Sequence, residues 1–303
     1  MTNPHTSPAW GPYLAERFPV PVYLVLVSAM TLAALSAAAV ATGAVLVVWP
    51  VTPIATLAIL LGFFVLRVFD EHKDSGKDAL AHPARVLSRG LITLSHLAAA
   101  GWGAAAVSVA LAGTLGLHAA LWMAASLGFA VLMRYEFFVG TWLQKHLVLY
   151  ALTHNPVVAL LMMVPVAGVL QGTAFPNEVL LWLAIASVSS LGAEVGRKLR
   201  APADENPNQD TYTQALGVVP ASLFVTAVHL GTGALALGSV MSLGPRLAIG
   251  IATSVATIAT LRFGRAPSSR GAKIAEAGAM LLAFVVYVSM IVDVSLRFGI
   301  AWR

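Results

Sequence analysis

The stretch FDEHKDSGKDALAHPARVLSRG, Phe69 to Gly90, decides how the chain is read. It carries four acids, Asp70, Glu71, Asp74 and Asp78, two lysines, Lys73 and Lys77, and two arginines, Arg85 and Arg89. It closes a long apolar run in a chain whose charged fraction is only 10%, so this concentration of charge needs a cause. On a helix, Asp70, Asp74 and Asp78 stand at i, i+4 and i+8 and share a face, where like charges repel. A divalent cation reverses the sign of that interaction. Carboxylates together with phosphate oxygens suit Mg2+, which takes octahedral oxygen ligands and keeps some of its waters. The interleaved bases suit a diphosphate held between metal and cation. The plainer reading of the same run is a solvated loop of mixed charge.

The surrounding chain is that of a membrane protein. Hydrophobic residues make up 58% of its 303 residues, against about 45–50% in a soluble domain, and the mean hydropathy is +0.83. There is no cysteine, which excludes disulfides and thiolate metal sites. No GxGxxG or GKS pattern supports nucleotide binding. The net charge of +5 belongs to loops beside a membrane rather than to nucleic-acid binding. The N-terminal residues lack the basic-then-apolar order of a signal peptide. Residues 1–18 read instead as an interfacial segment, with Trp10, Tyr13 and Phe18 at headgroup level.

Apolar runs predict nine spanning helices, at 20–48, 53–69, 91–112, 117–138, 142–170, 176–196, 215–240, 245–263 and 273–297. Trp49, Pro50 and Pro53 separate the first two, and Pro156 kinks the fifth. With the N terminus inside, fifteen of the eighteen lysines and arginines fall on the cytoplasmic side. Only Arg246, Arg297 and Arg303 fall outside, as the positive-inside rule requires. The second and sixth helices, four apart, both end in charged cytoplasmic segments, 70–90 and 194–213. The expected fold is therefore all-α: a single polytopic bundle over 1–303, in two pseudo-repeated four-helix halves around a central cavity.

The second segment, GAEVGRKLRAPADENPNQDTYTQ, sets Glu194 one turn from Lys198. Arg197 and Arg200 flank them, and Asp204, Glu205 and Asp210 follow. Two acidic segments on one side of a bundle can gather metal around one diphosphate, neutralise it as a leaving group, and leave a carbocation. The interior must then be apolar to keep water from that cation.

On these residues the chain resembles the UbiA superfamily of intramembrane prenyltransferases over nearly its whole length. The family's Asn-Asp-x-x-Asp-x-x-x-Asp motif is matched by Asp70, Glu71, Asp74 and Asp78, with Asp70 at the Asn and Glu71 at the next Asp. Arg85 and Gly90 fit its Arg-Pro-x-x-x-Gly stretch, with Val86 and Ser88 where prolines are usual. The second motif, often Asp-x-x-x-Asp, reads Glu194-Val-Gly-Arg-Lys198 here, a base replacing the second acid. The resemblance implies a multi-pass protein of a bacterial inner or cell membrane, with its motif loops cytoplasmic. It implies Mg2+-dependent ionisation of an isoprenyl diphosphate, then attack by a small acceptor, often aromatic; some members instead cyclise the chain.

The residues expected to hold Mg2+ are Asp70, Glu71, Asp74, Asp78 and Glu194, with Asp204 or Asp210 supplying the ligand that Lys198 does not. Lys73, Arg85, Lys198 and Arg200 are expected on the diphosphate, with Asp74, Glu194 and Lys198 central to catalysis. Glu136 reads either as a substrate-orienting or proton-accepting acid or as half of a structural ion pair. Tyr150 and His154, at i and i+4, read as cavity lining or as helix-packing groups, and His229 is open in the same way. Asp293 and Arg297 read as a structural pair. Three functions remain in view: prenyl transfer, acceptor-free cyclisation, and, more remotely, cation-coupled transport, which normally uses midplane sites and broken helices.

Overall fold

A computed structural model describes residues 7–171 and 176–302; the leading residues 1–6 and Arg303 lie outside it. A short helix, α1 (Trp10–Arg17), precedes α2 (Val20–Thr42), and α3 (Val51–Ala81), α4 (Leu94–Thr114) and α5 (Leu117–Arg134) follow. Next come α6 (Gly140–Leu143) and the two segments of one crossing, α7 (Leu147–His154) and α8 (Pro156–Leu170). The remaining helices are α9 (Asn177–Gly196), α10 (Tyr212–Leu216), α11 (Val218–Ser239), α12 (Leu243–Arg265) and α13 (Ser269–Phe298). Among the described residues, nine crossings are long and apolar enough to span a membrane. At the end opposite the charged motifs, two-residue strands β1 (Leu46–Val47) and β2 (Ile300–Ala301) pair in parallel.

The packing follows the expected duplication. One half is α3, α4, α5 and α8, in which α3 packs on α4, α5 and α8, and α5 on α8; the other is α9, α11, α12 and α13, joined α11 to α12 and α12 to α13. The remaining crossing, α2, packs on α3 and α8 of the first half and on α9 and α13 of the second. Its sequence explains this place. Five of the seven residues from Ala33 to Ala39 are alanine and the run is buried all round, and small side chains let helices approach closely where lipid offers no hydrophobic drive. By contrast, α12 exposes Leu247, Ile251, Val255 and Ile258 along one stripe, the surface that lipid requires. Exposed Trp49 and Trp302 stand at the strand end, and Tyr135, Phe138 and Trp142 at the motif end, as interfacial aromatics do.

The first helix ends sooner than its apolar run, at Gly43 in the left-handed conformation. The second runs further than hydropathy suggests, through the acidic motif to Ala81. At 31 residues it is about 46 Å long, and a bilayer core of about 30 Å leaves its last turns standing clear. It stops at His82 because Pro83 disfavours a helical residue before it. The segment 70–90 is thus helix to Ala81 and loop only afterwards.

Close helix contact depends on Gly101 of α4, where a β-carbon would stand 2.9 Å from Cγ1 of Val68. Gly101→Leu is expected to push α3 and α4 apart and cost about 1–3 kcal/mol. An unchanged melting temperature in detergent would contradict this packing.

Candidate active site

At the motif end, α3, α5, α7 and α9 and the loop after α9 surround a cavity of about 530 Å3. Eight cationic side chains line it: Arg17, Arg67, Lys73, Lys77, Arg85, Arg197, Lys198 and Arg200. Six carboxylates face them: Asp70, Asp74, Asp78, Glu136, Glu194 and Asp210. Apolar side chains complete the lining: Met133 and Leu147 near the helix ends, and Ala151, Val158 and Leu191 further along α7, α8 and α9. Below that the bundle is filled by Leu161, Met162 and Trp182, all fully buried.

Helical geometry sorts the first motif. Asp70 and Asp74 are one turn apart on the cavity face, with Lys73 between them at 3.5 Å and 3.9 Å. Four residues advance an α-helix by about 400°, so a row spaced i, i+4, i+8 drifts round the helix. Asp78 has drifted towards Arg17 and Arg85, whose guanidinium groups lie 3.2 Å and 2.6 Å from its carboxylate. Glu71, about 100° from Asp70, leaves the cavity altogether. It is 2% exposed and takes a hydrogen bond from Arg17 Nε at 2.6 Å. The expected role of Glu71 as a metal ligand is therefore replaced by a structural one.

Arg17 was not anticipated as a site residue, although it belongs to the segment read as interfacial. It reaches the motif because α1 docks on the loop after α3: Glu16 accepts from the Val86 amide at 3.2 Å, and the Ala9 amide donates to the Leu91 carbonyl. Burial, then the like charge of Arg17, lowers the Arg85 pKa from its ordinary value. Burial, and after it Arg85, lowers that of His82.

The second motif is arranged differently. Glu194 Oε2 receives Arg197 at 2.5 Å and Oε1 receives Lys198 at 3.1 Å, so each oxygen already has a cation. Glu194 raises the pKa of Arg197. Arg200 lines the cavity while donating to the carbonyls of Arg197 and Leu199 at 2.8 Å. Asp204 is exposed on a short turn and does not line the cavity, which removes it from the expected ligand set. Asp210 does line it, paired with Lys77 at 3.3 Å. With the Gln209–His82 contact at 3.0 Å, that pair ties the two motifs across the mouth. Glu205 instead accepts from Thr211 and Thr213, at 2.7 Å and 2.6 Å, and folds the loop.

The remaining expectations divide. Tyr150 and His154 line the cavity, stacked at 4.0 Å, and the Tyr150 hydroxyl receives the Lys73 ammonium. Glu136 also faces the cavity, but pairs with no base. It accepts two hydrogen bonds from Gln144 Nε2, at 2.9 Å and 2.8 Å. It sits in a left-handed turn of three non-glycine residues, Glu136, Phe137 and Phe138, with φ of +48°, +53° and +61°. This conformation costs about 1–2 kcal/mol per residue. A β-carbon at Gly140 would collide with the Glu136 carboxylate, so glycine there makes the turn possible. Asn155 and Ser190, unanticipated, form a polar pair in the wall at 2.5 Å, and Asn155 also donates to the Ser187 carbonyl at 2.7 Å. His229 is buried outside the cavity lining. Asp293 pairs with Arg297 at 3.1 Å, and Asp293 Oδ1 caps the amides of Met241 and Ser242.

The donor set would suit one divalent ion better than several. Among the described residues, no three histidines or acids converge as a metal cage. Asp70 and Asp74 are half-exposed and only loosely paired. Two such carboxylates suit one Mg2+ that completes its shell with water and substrate oxygens.

No protein-family model matches the sequence, and no curated protein matches it. Solved structures do match its fold. The structure of a UbiA homologue from Aeropyrum pernix K1, without ligand, superposes with a TM-score of 0.65 at 16% identity, covering 90% of this chain and 98% of that one. A structure concerned with digeranylgeranylglyceryl phosphate synthase in membranes gives 0.63 at 14% identity, over 94% and 98%. The chain therefore has the UbiA fold: an all-helical, multi-pass membrane bundle of nine crossings among the described residues.

The Arg17–Glu71 pair gives a test of the site's frame. Arg17→Ala leaves a buried carboxylate without its cation and is expected to cost about 3–5 kcal/mol, with Glu71→Gln in that background restoring much of it. Wild-type stability of the single variant would contradict the structural role of Glu71.

Proposed function

We propose that the protein is an intramembrane prenyltransferase that ionises an isoprenyl diphosphate and passes the prenyl group to a small aromatic acceptor. The observation carrying this reading is the cavity itself: a charged mouth with a surplus of cations, opening onto an apolar wall between two halves of a UbiA-type bundle. That gradient matches the two ends of an isoprenyl diphosphate. The excess of lysine and arginine at the mouth supports a cytoplasmic orientation for it. The transport reading draws no support from it, since the charge lies at one end of the bundle.

Lys73 binds the diphosphate from one wall, and Lys198 and Arg200 from the other. Tyr150 holds Lys73 in place through its hydroxyl. Asp70 and Asp74 would hold a Mg2+ ion, with Asp210 near the rim. That ion, when bound, neutralises charge on the departing diphosphate. The bond from C1 to the diphosphate oxygen breaks with its electron pair going to oxygen, and these fixed cations meet the charge that develops there. The acceptor's electron pair then forms the new bond to C1, and the acceptor gives up a proton. Glu136, held towards the cavity by Gln144, is the base placed to take it.

The wall favours transfer over cyclisation. A cyclase needs a closed aromatic pocket around the folding cation, whereas Tyr150 is the one Phe, Tyr or Trp among the lining residues. Polar pairs, Glu136 with Gln144 and Asn155 with Ser190, offer an acceptor its hydrogen bonds.

With farnesyl diphosphate, Mg2+ and an aromatic acceptor present, Asp74→Ala is expected to abolish diphosphate release while the protein stays folded; wild-type turnover would sink the assignment. Without an acceptor, substrate is expected to remain intact, and an aromatic acceptor such as 4-hydroxybenzoate is expected to yield a prenylated product. Cyclic hydrocarbons formed without acceptor would overturn transfer in favour of cyclisation.

A further inference from the structure

The two walls of the cavity are not equivalent. On the first, Asp70 and Asp74 stand half-exposed and their cations keep a longer range, Lys73 at 3.5 Å and 3.9 Å and Arg67 at 3.8 Å from Asp70. On the second, both oxygens of Glu194 are taken, one by Arg197 at 2.5 Å and one by Lys198 at 3.1 Å. A divalent ion bound at Glu194 would have to displace two cations and then sit beside them, with Arg200 also close by. Like charges packed at that range repel strongly. The other acids of this wall are committed elsewhere: Asp204 lies off the cavity, Glu205 is engaged by Thr211 and Thr213, and Asp210, at the rim, is paired with Lys77 at 3.3 Å. The lining as a whole holds eight cations against six carboxylates, so it carries a surplus of two positive charges before any metal enters. A site that must gather several metal ions needs its surplus in acid.

Resting on the diphosphate reading above, we infer that this site takes a single divalent ion, at Asp70 and Asp74, and that Lys198 with Arg197 replaces a second ion on the opposite wall. Glu194 is then a positioning residue rather than a metal ligand: it holds the two cations towards the cavity from one turn of α9 and the residues just beyond. A fixed ammonium supplies charge at the far diphosphate oxygens without having to be recruited from solution. One ion held by two carboxylates would depend on the substrate to complete its coordination.

The test counts metal rather than turnover. Mn2+ bound to the purified full chain would be measured by electron paramagnetic resonance at saturating inorganic pyrophosphate, with pyrophosphate affinity measured by calorimetry in the same samples. One Mn2+ per chain is expected. Lys198→Asp places a carboxylate one turn from Glu194 and is expected to raise the count to two. Lys198→Gln is expected to weaken pyrophosphate binding by about tenfold or more with the count still one. Two ions in the wild type, or an unchanged affinity in Lys198→Gln, would overturn the replacement of metal by lysine. Absence of pyrophosphate binding in the wild type at any Mn2+ concentration would instead overturn the diphosphate reading on which the inference stands.

Discussion

Glu71 is buried almost completely, and the Arg17 guanidinium 2.6 Å away makes that burial tolerable. A charge at the edge of a bilayer must find a partner or water, and this acid has little water. The pair does more than satisfy Glu71. It fixes the rotation of α3 about its axis, so Asp70, Lys73 and Asp74 face the cavity. It anchors α1 to the motif, and through Glu16 and Val86 it holds the loop that carries Arg85. The arrangement of the first wall follows from one buried ion pair.

The second wall rests on the same rule with the opposite balance. There the acid is the minority partner, and Glu194 serves to gather Arg197 and Lys198. Ion pairs across the mouth, such as Lys77 with Asp210, join the walls while staying exposed enough to exchange partners. Exposed pairs of this kind contribute little to stability, about 0–1 kcal/mol, so a diphosphate can separate them at small cost. The buried pair sets the frame, and the exposed pairs are left free to respond to a ligand.

Much of this was legible in the chain. Long apolar runs mark nine crossings among the described residues, because lipid as a solvent demands them, and the lysines and arginines gathered between alternate runs are consistent with that number. The duplication showed in the four-helix interval between charged segments. Asp70, Asp74, Lys73, Lys198 and Tyr150 could be placed because period and spacing put them on cavity-facing turns. Three features could not be read so. Glu71 lies within the acid run, but its burial depends on Arg17, 54 residues away. Hydropathy ended the second crossing too early, because a helix sustained by Asp–Lys pairs outlasts its apolar part. The turn at Glu136 has no sequence signal, since three non-glycine residues in the left-handed region are set by tertiary packing against Gly140 and Gln144.

The central claim is that one diphosphate lies between these two walls. The most direct measurement is an experimental structure of the protein with Mg2+ and farnesyl thiolodiphosphate, an analogue that resists ionisation. The diphosphate is expected between Lys73 on one side and Lys198 with Arg200 on the other, and the isoprenyl chain along Ala151, Val158 and Leu191. A diphosphate bound elsewhere, or a chain running away from that apolar wall, would contradict it.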